Sequence, residues 1–164
     1  MSERRVVCEF KGKYEFLSNF YIVKNPIYYD GHYFQTTEHA YQAYKTLDLK
    51  QLEAIKNCSS PGEAKRLASN SKKTKLRSDW EKIKLPLMYD LLVDKFRGNP
   101  ALSKMLYSLY GYHLEEGNWW HDNFWGNCYC EKCKDITGKN VLGKMLMRLI
   151  DRIHFFKNIS QEKN

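Results

Sequence analysis

The chain has 164 residues, of which 43% are hydrophobic and 15% aromatic, and this predicts one domain with a substantial core. No apolar run approaches the roughly 18 residues that cross a membrane, and the start MSERRVVCEFKGK lacks the apolar region of a signal peptide. The five cysteines, without a secretory signal, favour free thiols in a reducing compartment. We therefore expect a soluble, cytoplasmic monomer with no membrane partner.

The net charge of +8 favours anionic ligands such as phosphates or nucleic acid, although plain solubility explains it equally well. Basic side chains concentrate between Lys65 and Lys84, where only Asp79 and Glu81 are acidic. This basic segment, residues 65–84, is the best local candidate for a surface that faces phosphate.

The first 35 residues predict short strands, and PIYYDGHYF predicts a hairpin because Asp30-Gly31 separates two aromatic runs. From Thr37 onward the pattern is helical. In TTEHAYQAYK the side chains of Glu38, Gln42 and Lys45 are spaced by four and three, so on a helix they share one face. The pattern alone favours a solvated polar stripe. The alternative is an acid and an amine directed into a pocket.

Several later helices are predicted from their capping residues. Ser60 with Pro61 and Glu63 opens one helix, and Ser78 with Glu81 opens a longer one, which Pro86 should kink or split. Asn99-Pro100 starts another, and KNVLGKMLMRLIDRIHFF forms the last.

The expected fold is therefore mainly α (α+β), with a small N-terminal β-hairpin element. Residues 1–156 would form a single domain, and residues 157–164 a polar, frayed tail.

The segment LEEGNWWHDNFWGNCYC, residues 114–130, concentrates aromatic side chains in an irregular region. They either plug a core, which the pattern favours, or form a ligand platform. Asp122 precedes Trp125 by three residues, so a carboxylate and an indole could face one cavity, as binding of a nucleobase would require.

Cys128, Cys130 and Cys133 form C-x-C-x2-C, a spacing at which thiolates can share zinc, with His121 as the nearest fourth ligand. There is no second C-x2-C, so a loop of reduced thiols is the favoured interpretation, and we expect neither a metal nor a cofactor. The stretch GKNVLGK is interpreted as a capped helix start in preference to a phosphate site, because Met145 follows where a P-loop has Ser or Thr.

Seven motifs together resemble the NADAR family, also called YbiA-like, and they occur in the order of that family across residues 10–153: FLSNFY, TTEHAYQAYK, SSPGEAKR, WEKIK, DKF, DNFWG and GKNVLGKMLMRL. The resemblance implies a mostly helical N-glycosidase that cleaves the bond between a ribose C1 and a nitrogen. Two substrate classes are implied: phosphorylated ribosylamino-pyrimidine intermediates of riboflavin synthesis, and ADP-ribose attached to guanine. Both carry phosphate, which fits the basic charge.

The resemblance also implies site residues. The catalytic positions match Lys45, Glu38 and Asp122, and the substrate-binding positions match Asn19, Arg66, Trp80, Trp125 and Gly126. The sequence departs from the family pattern after Arg66, where Ala68-Ser69 replaces the common Gly-Arg and puts one phosphate contact in doubt. It departs again after the WG pair, where NCYCEKCKDITG replaces a glycine-rich link.

On this resemblance we expect Lys45 to act as a nucleophile through a Schiff base, or as a proton shuttle. Glu38 would shuttle protons or hold the ribose hydroxyls, but as a nearby anion it would raise the lysine pKa, which sequence alone leaves unresolved. The basic segment favours ADP-ribosylated nucleic acid over a free nucleotide as substrate. The resemblance also implies functional pairing with an ADP-ribosylating toxin, whose modification the enzyme would reverse. Two alternatives remain: a nonenzymatic ADP-ribose or nucleic-acid binding module, and a small zinc-stabilised interaction domain.

Overall fold

The structure is a computed structural model that describes residues 5–162, with side chains through Asn158. In chain order its strands and helices are β1 (Val6–Val7), β2 (Ile27–Tyr29), β3 (His32–Phe34), α1 (Thr37–Ala43), α2 (Leu49–Lys56), α3 (Pro61–Ser69), α4 (Trp80–Gly98), α5 (Pro100–Tyr107), β4 (His113–Leu114), β5 (Gly117–Asn118), β6 (Asn127–Cys128) and α6 (Val141–Glu162). Helices dominate and the strands are short, which confirms the expected mainly α (α+β) class.

The chain divides into two compact units. One combines Met1–Ser18 with Ala101–Asn164, and the other is Asn19–Pro100. They are called the terminal unit and the central unit below. The single domain expected over residues 1–156 stays a prediction.

In the central unit the N-terminal hairpin is confirmed. Strands β2 and β3 pair antiparallel with Ile27 opposite Phe34. The two residues between them, Asp30 and Gly31, have φ of 46° and 83°. Positive φ at both positions is what the tight two-residue hairpin turn requires, and Asp-Gly tolerates it.

Helix α1 is the centre of this unit, because it packs against α2, α3, α4 and the hairpin and all seven of its residues are buried. Its start is fixed by Thr36, whose Oγ1 accepts a 3.1 Å bond from the backbone N–H of His39. The Thr36 hydroxyl also lies 2.8 Å from His39 Nδ1, and His39 Nε2 donates to the Cys58 carbonyl at 3.1 Å. Burial lowers the pKa of His39, so this buried ring is held neutral.

The predicted start of α3 is confirmed, since Ser60 Oγ accepts from the backbone N–H of Glu63 at 3.2 Å and Pro61 is the first helical residue. The predicted start of α4 is wrong: its N-cap is Asp79 and not Ser78. The Asp79 carboxylate binds Arg77 Nε at 2.6 Å and so caps no backbone amide.

Of the two expectations for Pro86, a split of α4 is wrong, because the helix is continuous from Trp80 to Gly98, whereas a kink stays a prediction. Proline removes one helical donor, the one that would bond to the Lys82 carbonyl. Both Pro86 and Lys82 are exposed, so water can hydrate that carbonyl on the outer face of the helix.

In the terminal unit, β1 pairs parallel with β4, placing Val7 beside Leu114, and β5 pairs parallel with β6. Strand β1 lies within the first 35 residues, where short strands were expected, whereas β4, β5 and β6 lie beyond that region. Helix α6 runs to Glu162, so the predicted frayed tail is helical over most of its length. The stretch KNISQE contains neither proline nor glycine, so nothing in it ends the helix.

Within residues 5–162, no helix combines the length and the apolar character that crossing a membrane requires.

Candidate functional site

Three polar residues lie together at helix α1, namely Asn19, Glu38 and Gln42. The backbone N–H of Glu38 donates to the Asn19 carbonyl at 2.9 Å, and Gln42 Nε2 donates to Glu38 Oε1 at 2.7 Å. All three side chains are buried, with Glu38 only 6% exposed and Gln42 only 3% exposed. The polar face of TTEHAYQAYK is therefore not a solvated stripe, and the pattern-based preference for one is wrong.

The same region holds buried polar atoms without partners. Within the described part of the chain, Asn19 Oδ1, Thr37 Oγ1 and Gln42 Oε1 are buried and make no hydrogen bond. Buried polar atoms are nearly always hydrogen-bonded, so such a group needs an explanation. Amide oxygens only accept, so a ligand with hydroxyl or N–H donors, such as a ribose, suits them chemically.

Lys45 does not lie on the helix, in contrast to the expectation from spacing. Helix α1 ends at Ala43, Tyr44 is its C-cap, and Lys45 follows. Its backbone N–H still donates to the Gln42 carbonyl at 3.2 Å, whereas its carbonyl accepts from Arg77 N at 2.8 Å. That bond, from a residue far along the chain, turns the backbone out of the helix.

The Lys45 ammonium lies against two aromatic rings. Its Nζ is 5.7 Å from the centroids of both Tyr41 and Trp80, and these two rings pack 4.9 Å apart. Trp80 is buried, so most of its surface packs against the protein, and its substrate-binding role stays a prediction.

Burial lowers the pKa of Lys45, the nearby Glu38 carboxylate raises it, and the Lys65 ammonium lowers it further. The net direction is downward. The sequence left open whether the Glu38 anion raises the pKa of Lys45. It does not do so on balance, because the effect of desolvation is larger than the effect of the anion. A larger fraction of Lys45 is therefore the neutral, nucleophilic amine at neutral pH than for an ordinary lysine.

Lys65 and Arg66 occupy neighbouring positions on α3, and both are exposed. The positive charge of Lys65 contributes to lowering the pKa of Lys45. In the rest of the basic segment, Arg77 pairs with Asp79 and Lys84 with Glu81. Lys72, Lys73, Lys75 and Lys82 are exposed.

The remaining predicted residues belong to the terminal unit. Asp122 Oδ1 accepts from the backbone N–H groups of Phe124 at 3.0 Å and Trp125 at 2.9 Å, so the carboxylate shapes the DNFWG turn. Trp125 packs edge-on against Phe124. A Cβ at Gly126 would overlap the Glu116 carbonyl oxygen, so this glycine is required by backbone packing. The catalytic role of Asp122 and the binding roles of Trp125 and Gly126 stay predictions.

A concavity of about 580 Å³ in the central unit contains none of the predicted site residues. Its polar lining includes the carboxylates of Asp30 and Asp90, which repel phosphate, and its one cation, Arg77, is bound to Asp79. It is not a good candidate for a nucleotide site.

The sequence-based list of site residues omitted Thr37, Gln42 and Lys65. The signal for Gln42 was its spacing of four from Glu38, and the signal for Lys65 was its position beside Arg66. Only the folded chain shows that Gln42 holds the carboxylate and that the Lys65 charge reaches the amine.

A mainly helical domain with a buried carboxylate and a lysine of lowered pKa has the groups for acid–base or nucleophilic chemistry. The sequence model of the NADAR domain matches residues 8–154. The chain belongs to the NADAR domain family.

Relatives and a solved structure agree with this assignment. The chain is 37% identical over 136 residues to the N-glycosidase YbiA of Shigella flexneri, covering 83% of this chain and 79% of that protein. It is 36% identical over 135 residues to the chloroplastic riboflavin biosynthesis protein PYRR of Zea mays, of which it spans 21%. The NMR structure of Escherichia coli YbiA superposes with a TM-score of 0.80 at 31% identity, covering 96% of this chain and 89% of that one.

Proposed function

We propose that this protein is an N-glycosidase that hydrolyses a ribose C1–nitrogen bond, with Lys45 and Glu38 as its reactive pair. The observation that carries the proposal is the lowered pKa of Lys45 beside the buried Glu38 carboxylate. Relatives named N-glycosidase, of which this chain covers most of the length, support it.

The reaction needs the groups that this site contains. When the C1–nitrogen bond breaks, its electron pair goes to the departing ring nitrogen, which must receive a proton, and positive charge develops at C1. A carboxylate stabilises that charge or activates a water, as in other glycoside hydrolases. Glu38 is the acidic residue on α1 that is suited to this role.

The amine offers a covalent route. The neutral Lys45 Nζ attacks C1 as the nitrogen ring leaves with a proton, and the new C1–N bond replaces the old one. The ribose ring then opens, its ring oxygen takes a proton, and C1 becomes a protonated Schiff base with Lys45. Water adds to that carbon and releases the free sugar, which regenerates the amine.

The buried acceptors beside Glu38 would position the sugar. Asn19 Oδ1 and Gln42 Oε1 would accept from ribose hydroxyls, and the Thr37 hydroxyl would bind either a donor or an acceptor. Trp80 would wall the site, and Arg66 would bind phosphate from α3. For the terminal unit we propose, separately, that Asp122 acts as an acid–base group and that Trp125 and Gly126 contact the base of the substrate.

The preferred substrate is ADP-ribose attached to guanine in nucleic acid, which makes functional pairing with an ADP-ribosylating toxin part of the proposal. The four exposed lysines of the basic segment, Lys72, Lys73, Lys75 and Lys82, support a polyanionic substrate. The second candidate is a phosphorylated ribosylamino-pyrimidine, because relatives from Zea mays, Arabidopsis thaliana and Vibrio vulnificus are named riboflavin biosynthesis proteins.

An assay of both substrates side by side separates these candidates. We expect release of ADP-ribose from an ADP-ribosylated guanine oligonucleotide, and loss of that release in Glu38→Gln. Replacing Lys72, Lys73 and Lys75 by Gln should weaken turnover of the oligonucleotide and flatten its salt dependence, but leave a free nucleotide unaffected. Release from the pyrimidine nucleotide alone would overturn the preferred substrate. Binding of either one without product, unchanged by Glu38→Gln, would identify a binding module instead.

A further inference from the structure

Four side chains of the terminal unit bring metal-binding atoms together. The ligand atoms of His121, Cys128, Cys130 and Cys133 all lie within 4.8 Å of one another. All three cysteines are free thiols, and Cys128 and Cys133 are buried. We call these four residues the Cys3His cluster, and we propose that it binds one structural Zn²⁺.

The distances fit a tetrahedral ion. With the usual zinc bond lengths, a Cys3His tetrahedron places sulfurs about 3.8 Å apart and the nitrogen about 3.6 Å from each sulfur. The Nδ1 atom of His121 lies 3.2 Å from Cys130 Sγ and 3.4 Å from Cys133 Sγ. Both distances are within a few tenths of an ångström of the tetrahedral value.

The backbone is arranged to hold the cluster. His121 has a φ of 68°, an unusual conformation for a residue with a side chain, and it directs the ring back to the cysteines. The His121 N–H donates to Cys128 Sγ at 3.3 Å, and a bond of this kind supports a thiolate ligand. The Cys128 N–H is itself fixed by Asn123 Oδ1 at 2.9 Å.

The C-x2-C part has the compact turn that metal sites use. Cys130 precedes a single 3-10 turn, Glu131–Cys133, and the Cys133 N–H donates to the Cys130 carbonyl at 2.9 Å. Both sulfurs therefore emerge on one side of the turn. A site with thiolate and imidazole ligands favours zinc over magnesium, calcium or manganese.

The site would anchor the turn that carries Asp122 and Trp125. His121 immediately precedes this turn, and Cys128 follows it closely. Zinc would bind both ends of the turn to the Cys130–Cys133 loop. In this protein the metal would make rigid the link NCYCEKCKDITG, which stands where the family pattern has a glycine-rich link. This role is independent of the chemistry proposed for Lys45.

Metal content tests the proposal without any activity assay. The untagged protein, expressed with added zinc and purified without chelator, should contain close to one zinc per chain by elemental analysis. Cys130→Ser should lose most of it. Cys8→Ser and Cys58→Ser, which remove free thiols outside the cluster, should retain it. Zinc well below one per chain in the wild type, or full zinc in Cys130→Ser, overturns the proposal.

Two further measurements apply to the wild-type protein, so they do not depend on a variant that folds. Cobalt replacing zinc should give the strong visible bands of a tetrahedral site with thiolate charge transfer. A chelator should lower the melting temperature of the wild type and make the three cluster thiols reactive, while Cys8 and Cys58 react with or without it. A cobalt spectrum without thiolate charge transfer, or a melting temperature unchanged by chelator, would contradict a structural zinc site.

Discussion

Gln42 Nε2 donates a 2.7 Å hydrogen bond to Oε1 of Glu38, one turn earlier in α1, and both side chains are buried. A carboxylate held in this way has a fixed orientation toward any ligand that enters the site. We expect Gln42→Met, which preserves the length of the side chain and removes the donor, to lower kcat about tenfold with a smaller change in KM. The variant should also lose about 1–3 kcal/mol of stability, because Glu38 loses a buried partner.

Steady-state kinetics and urea unfolding of the same preparation check this prediction. Lys50→Ala, on the exposed face of α2, is the matched surface control and should change neither quantity. An unchanged kcat in Gln42→Met would mean that orientation of Glu38 is not needed for the reaction.

The titration of Lys45 should respond in opposite directions to its two charged neighbours. Burial lowers the pKa of Lys45, the Glu38 anion raises it and the Lys65 cation lowers it. Glu38→Gln removes the anion, so the amine should become reactive at lower pH than in the wild type. Lys65→Gln removes the cation, so the amine should need a higher pH.

Competitive labelling with an amine-specific reagent, followed by mass spectrometry of the Lys45 peptide, measures this titration without turnover. Lys73→Gln is the control, because Lys73 is exposed and the charges that shift the pKa of Lys45 are those of Glu38 and Lys65. Shifts of the same sign in both variants would refute this electrostatic account.

The Asp122 carboxylate has a structural role in the DNFWG turn, and this role can be tested separately from its proposed role in catalysis. Its Oδ1 accepts two backbone N–H groups in the DNFWG turn, and the side-chain oxygen of an asparagine can accept the same two. We therefore expect Asp122→Asn to keep the wild-type melting temperature and to lose at least tenfold in kcat. Asp122→Ala should lose both. Wild-type activity in Asp122→Asn would restrict this residue to shaping the turn.

Lys95 makes stability depend on pH. It is fully buried near the rings of Tyr21 and Phe96, and burial lowers its pKa to about 7. The unfolded lysine has its ordinary, higher pKa, so between the two values the unfolded state binds more protons. Stability should therefore rise with pH from about 7 towards about 10. Lys95→Met should remove this contribution, as urea unfolding at several pH values would measure. If the free energy of unfolding of Lys95→Met rose with pH as steeply as that of the wild type, another group would be responsible for the pH dependence.

Much of the fold followed from local sequence. Asp30-Gly31 specified the hairpin turn and Ser60 specified the start of α3, because both signals act within a few residues. The parallel pairing of β1 with β4 joins residues more than a hundred positions apart, so no local pattern indicates it. The end of α1 escaped prediction for the same reason, since the backbone of Arg77 captures the Lys45 carbonyl.

The candidate site also has features that the sequence indicated and features that only the folded chain shows. The ordered motifs identified Glu38 and Lys45 by resemblance, whereas periodicity suggested a solvated stripe. The direction of the Lys45 pKa depends on burial and on Lys65, which lies on another helix, so the sequence could not supply it. The Cys3His cluster was visible as a spacing, but only the positive φ of His121 and the short contacts show that its atoms converge.

Borohydride trapping with an ADP-ribosylated guanine oligonucleotide tests the central claim most directly. Reduction during turnover should leave ADP-ribose attached to Lys45, identified by peptide mass spectrometry. Lys45→Met should form no adduct and release no ADP-ribose while melting near the wild-type temperature. Release by Lys45→Met at close to the wild-type rate, or an adduct on a different lysine, would contradict a nucleophilic role for Lys45.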